Sequence, residues 1–140
     1  MGLPVKRSKN KSKAESSAVG PQREWGRPVE LCVKKLLEKE YGQPFESKRL
    51  SLGSGLEKQF DAVSEDGTVV AMVKAFKVPY SDSTQQQLKT RFERCLVDCV
   101  YLSAVPKAKH RLFYVSGDYL LPFKSQIEIL FKGKVAVRSI

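Results

Sequence analysis

Residues 59 to 77, Gln-Phe-Asp-Ala-Val-Ser-Glu-Asp-Gly-Thr-Val-Val-Ala-Met-Val-Lys-Ala-Phe-Lys, leave little choice of local structure. Phe60, Ala62 and Val63 lead into Ser64-Glu65-Asp66-Gly67, and Val69 to Phe76 lead out. An Asp-Gly pair between two apolar runs predicts a β-hairpin, because the turn needs positive φ and glycine adopts it without a Cβ clash. Two polar residues interrupt the apolar pattern, Asp61 in the first strand and Lys74 in the second. A carboxylate and an ammonium inside such strands are costly unless paired or used. Alternation along the second strand places Met72 and Lys74 on one face.

The rest of the chain supplies partners for this hairpin. Arg27-Pro28 predicts a helix start, since proline suits the first helical position, and Gly42 its end. Val29, Cys32, Val33, Leu36 and Leu37 form its apolar face, with Glu30, Lys34 and Glu38 on the opposite side. Lys48 to Leu52 reads as a short strand, and Gly53-Ser54-Gly55 as a tight connection into the hairpin. Ser81 to Thr84 offers several N-caps for a second helix, whose buried face carries Leu88, Phe92, Cys95, Leu96, Cys99 and Leu102. Leu112 to Val115 is a buried strand, with His110 at its start read as a surface residue. Gly117-Asp118 turns the chain. Ile127 to Phe131 fits a short helix or a strand, Lys132-Gly133 breaks it, and Val135, Val137 and Ile140 suggest a last, edge-like strand.

The 140 residues suffice for one domain, and 25 Lys and Arg against 15 Asp and Glu give a net charge of +10. Residues 1 to 27 hold seven of the basic residues and two of the acidic ones. That leader has too few apolar residues to offset ordering entropy, so 1–26 reads as a disordered basic arm and 27–140 as the folded domain. A basic surplus favours phosphate backbones and anionic surfaces. No apolar run is long enough to span a membrane, so no membrane is expected as a partner. Cys32, Cys95 and Cys99, odd in number and in apolar-periodic stretches, predict free thiols and a cytoplasmic setting. Cys95 and Cys99 have ligand-like spacing, but no second Cys or His pair lies near them, which favours core packing.

Asp61, a turn, and Lys74 in the next strand resemble the active-site hairpin of the PD-(D/E)xK, or restriction-endonuclease-like, nuclease superfamily. The helix, three-strand meander, helix and strand read above, followed by a C-terminal addition, are similar to that family's α/β (α+β) core. The resemblance covers about residues 27 to 116. It implies a nuclease acting on nucleic acid, DNA first, with Mg²⁺ as cofactor and Asp61 and Lys74 as catalytic residues. Asp61 and the Val73 carbonyl would be metal ligands, and Lys74 would orient the attacking water. A homodimer would suit cleavage of two strands. Met72 stands where the family usually has the second acid, so that charge must come from elsewhere. Glu30 on the first helix and Glu93 on the second are the replacements the family pattern suggests, with Glu57 beside the hairpin. Lys77, Lys89, Arg91 and Arg94 are the candidate contacts to nucleic acid. Two other readings compete: a catalytically inactive nucleic-acid-binding domain of the same fold, and an interaction domain in which Asp61 and Lys74 form a core ion pair.

Overall fold

Two tight turns build the meander. The computed structural model describes residues 21–140, with side chains from residue 27 onward. Strand β1 (Phe45–Gly53) pairs antiparallel with β2 (Leu56–Ser64), and Gly53 lies opposite Leu56. Only Ser54 and Gly55 connect them, both at positive φ (51° and 79°), the backbone a two-residue hairpin needs to match strand twist. The expected Asp-Gly turn joins β2 to β3 (Val69–Lys74). There the Asp66 carboxylate accepts from Ser64 Oγ (2.8 Å), Thr68 N (3.0 Å), Thr68 Oγ1 (2.7 Å) and Gln43 Nε2 (3.1 Å). Those donors, the Thr68 pair first, hold the Asp66 pKa well below the usual carboxylate range.

Helix α2 (Gln85–Ser103) is capped by Thr84, whose side chain accepts from Gln87 N while Gln87 Oε1 accepts from Thr84 N. It returns the chain to β4 (His110–Val115), parallel to β3. The C-terminal addition resolves into helix α3 (Gly117–Leu130) and β5 (Ala136–Ser139), parallel to β4 at the sheet edge. Gly117 and Asp118 thus open a helix rather than turn the chain, and Ile127 is a buried helical residue. The result is a mixed α/β domain with an open five-stranded sheet in the order β1-β2-β3-β4-β5. Because β3, β4 and β5 advance without reversal, crossovers of one hand put α2 and α3 on the same face. Phe60, Val70, Met72, Phe113, Cys99, Tyr119 and Ile127 meet in that core.

Helix α1 (Pro21–Tyr41) covers the other face, over Ala62, Val69, Ala71, Leu112 and Tyr114. It starts earlier than expected, at Pro21, and Pro28 lies inside it. The same first-position preference of proline is met by Pro21 instead. The basic arm expected over residues 1–26 lies, for residues 1–20, outside the described residues. The buried face of α1 is also rotated from the expected one. Val33 and Leu37 are buried and Tyr41 half-buried, whereas Cys32 and Leu36 are exposed. A helix lying on a sheet of small residues buries a narrow i, i+4 stripe, so neighbouring apolar positions stay outside. Arg138 of β5 pins α1 through two bonds to the Glu40 carboxylate (2.7 and 3.1 Å) and one to Tyr114 Oη (3.1 Å). Among the described residues, no helix is long and apolar enough to cross a membrane.

Candidate functional site

The site begins with an irregularity in β2. Glu46 pairs with Val63 and Lys48 with Phe60, so three steps on β2 match two on β1. This is a β-bulge at Asp61 and Ala62. It lets Phe60 and Val63 both enter the α2-side core while Ala62 enters the α1-side core. Pairing between β2 and β3 is confined to Ala62↔Ala71 and Val63↔Val70. Where the strands part, Asp61 Oδ2 accepts a hydrogen bond from the Val73 N–H at 2.7 Å, replacing a ladder partner. Burial raises the Asp61 pKa above the ordinary carboxylate value, and the Asp98 charge adds to the rise. The Val73 N–H, Lys74 and Lys58 oppose it.

Lys74 shares the face of Met72, as the alternation predicts, and reaches α2. Its Nζ lies 3.0 Å from Asp98 Oδ2, with side chains 28 % and 9 % exposed. Asp98 Oδ2 is buried and receives no hydrogen bond, so the contact is ionic rather than a well-angled hydrogen bond. The partner of Lys74 is therefore Asp98, with Asp61 as a charged neighbour bound to the backbone. Cys95 and Cys99 flank Asp98 in the core as fully buried free thiols. Burial pushes the Cys95 pKa up to about 12 and raises that of Cys99 as well, so both are neutral packing groups.

Asp98 was not among the acids the sequence pattern suggested. Glu93 is on the same helix but exposed, about 140° around it at roughly 100° per residue. Glu57 is exposed on β2, opposite Ser51. Glu30, expected on the outer side of α1, is half-buried one turn before Val33 and lies across the sheet from Asp98. The available signal was a carboxylate on an apolar helical stripe, at i+3 from Cys95 and i−4 from Leu102. It is the same anomaly that singled out Asp61 and Lys74.

The candidate basic contacts are scattered. Lys77 is exposed just after β3, and Lys89 and Arg94 are exposed on α2. Arg91 is engaged within the fold. Its guanidinium donates to Ser83 Oγ and to Tyr119 Oη (3.1 Å) and lies 5.8 Å from the Phe76 ring centroid. Closer to Asp61 is a cation the sequence did not mark: Lys58 Nζ sits 4.9 Å from the centre of the Tyr101 ring on α2. His110 is exposed and packs on Tyr41.

Two carboxylates and an ammonium thus converge where β2 and β3 separate. Among the described residues, no three His, Cys, Asp or Glu side chains gather as a metal-ligand set. Asp61 and Asp98 suit at most a cation that keeps most of its coordination for water and phosphate oxygens, the habit of Mg²⁺. No protein-family model, curated protein or solved structure matches this chain.

Proposed function

We propose that the domain is a metal-assisted phosphodiesterase acting on nucleic acid, DNA first, built on a restriction-endonuclease-like core. One observation carries this reading: a buried carboxylate, Asp98 of α2, lies 3.0 Å from Lys74 on the sheet face that Met72 shares, and could serve as the acid that Met72 is not. The donor chemistry fits a hard divalent ion, since both groups are carboxylates, Asp98 Oδ2 meets the Lys74 ammonium without a well-angled hydrogen bond, and Asp61 is held in place by the Val73 N–H. Asp61 and Asp98 would hold Mg²⁺, with the Val73 carbonyl as the third ligand the family pattern implies. When bound, the ion supplies Lewis-acid stabilisation of phosphate charge and a more acidic water. Lys74, released from Asp98, would orient that water or neutralise a phosphate oxygen. In this reading Asp98 would take the place in the ligand set for which Glu30 and Glu93 are the candidates of the family pattern. A homodimer would allow two strands to be cut.

A second reading is favoured by the 3.0 Å Lys74–Asp98 contact itself. If that pair is permanent, the site is neutralised from within and the domain binds nucleic acid without cutting it. Cleavage assays on single-stranded, duplex and branched DNA, with Mg²⁺, Mn²⁺ or EDTA, separate the two. Metal-dependent cleavage abolished in Asp61→Ala, Asp98→Ala and Lys74→Ala is the expected result. Salt-sensitive binding with no cleavage in any metal overturns it in favour of the second reading.

A further inference from the structure

We propose that Lys58 and Tyr101 grip the nucleic-acid strand beside the Asp61–Asp98 centre, Lys58 taking a backbone phosphate and the Tyr101 ring stacking on an unpaired base. The inference deepens the reading above and takes the class of partner from it. Lys58 lies on β2, three residues before Asp61, and is close enough to act on the Asp61 charge. Tyr101 lies on α2, three residues after Asp98, so the two share a helix face. The sheet and α2 therefore present two matched pairs, Lys74 on Asp98 at 3.0 Å and Lys58 over Tyr101 at 4.9 Å.

The pairs differ in what each cation leaves behind. Lifting Lys74 leaves a buried carboxylate without its counter-charge, which is costly. Lifting Lys58 leaves only an aromatic face, and a half-buried cation over a ring is weakly held. With no metal ion to replace Lys74 at Asp98, Lys58 is the ammonium group free to exchange its partner for a phosphate. Lys48 continues the basic line, since it pairs with Phe60 and so shares the strand face of Lys58. The ring that Lys58 vacates is half-exposed beside the proposed reacting centre. Bases inside a duplex stack on each other and cannot offer a face to such a ring, whereas a single strand can.

The test is fluorescence anisotropy with the full chain and one labelled oligonucleotide, single-stranded or annealed, in EDTA over a range of salt. Wild-type protein should bind the single strand more tightly than the duplex. Tyr101→Leu should weaken single-strand binding about 5- to 100-fold and duplex binding much less, while Tyr101→Phe keeps the preference. Lys58→Gln should lower the salt slope for the single strand by about 0.7. Equal losses on both forms, an unchanged salt slope, or a wild-type chain that binds neither oligonucleotide would overturn the proposal. Should Tyr101→Leu fail to fold, the Lys58→Gln slope and the wild-type strand preference decide it. Cleavage is absent in EDTA, so a chain that grips single strands but never cuts in Mg²⁺ sinks only the hydrolytic reading.

Discussion

The two halves of the sheet meet water differently. In the β3–β4–β5 half, Val69 to Met72 are buried in succession, and so are Leu112 to Val115. Such unbroken apolar runs suit parallel strands with helices on both faces. In the outer part of the β1–β2 arm, Leu50 and Leu52 are half-buried between exposed Arg49, Ser51 and Gly53. That alternation suits one covered face. Asp61 stands at the join, where β2 leaves the doubly covered half and its pairing with β3 stops. A carboxylate can stay there because one side of it is held by backbone while the splayed arm leaves it only half-buried. The site is thus a property of the boundary between the two halves.

The contrast can be broken most forcefully in the covered half. Phe113→Ala, at a fully buried position, should cost about 3–5 kcal/mol in urea unfolding. A loss below about 1 kcal/mol would mean that this half is not the tightly packed one. Next comes the boundary itself. Lys74→Met should cost about 3 kcal/mol by stranding Asp98, the low end for a buried pair because Lys74 is 28 % exposed. Adding Asp98→Leu to it should restore most of the loss. If the double variant is no better than the single, the pair is not the reason for the cost.

A smaller effect is expected at Asp61, and its sign follows from burial. Its folded pKa is raised, so the ionised form is disfavoured in the native state. Below the unfolded pKa, about 3.9, both states are protonated and nothing is lost; stability then falls as pH rises through the folded pKa. Asp61→Asn removes this dependence, so its stability relative to wild type should improve as pH rises across that window. Urea midpoints between about pH 4 and about pH 8 check it, and a difference that shrinks instead contradicts the assignment. The smallest effect belongs to the arm. Leu56→Ala, at an exposed position, should shift stability by less than about 0.5 kcal/mol.

Much of the covered half was legible because period-2 and period-3.6 apolar patterns report burial directly. The Asp66-Gly67 turn, the α2 stripe and the order of elements through β4 follow from those patterns and from turn chemistry. The join was legible only in part. Asp61 and Lys74 stand out as charges in apolar strands, but their partners, the Val73 N–H and Asp98 rather than each other, do not, because the bulge at Asp61 is set by register between strands. Asp98 carries a signal of its own, a carboxylate on the legible stripe of α2, but its partner Lys74 is set by how α2 docks over β3. The inward side of α1 is not legible, because Cys32 and Leu36 look as apolar as Val33 and Leu37, and only the sheet decides which pair it covers.

The meander also has a consequence for the order in which the molecule assembles. Its two hairpins close over a few residues each, while the β3–β4 join brings Val70 to Arg111 across the whole of α2. Short closures lose less chain entropy and form faster. The Asp61–Val73 bond lies within the meander, and the Lys74–Asp98 contact waits for α2 to dock. Pulsed hydrogen exchange during refolding should find the Val73 amide protected before the amides of β4. Simultaneous protection would mean instead that meander and crossover condense in one step, and that the two halves of the site are born together.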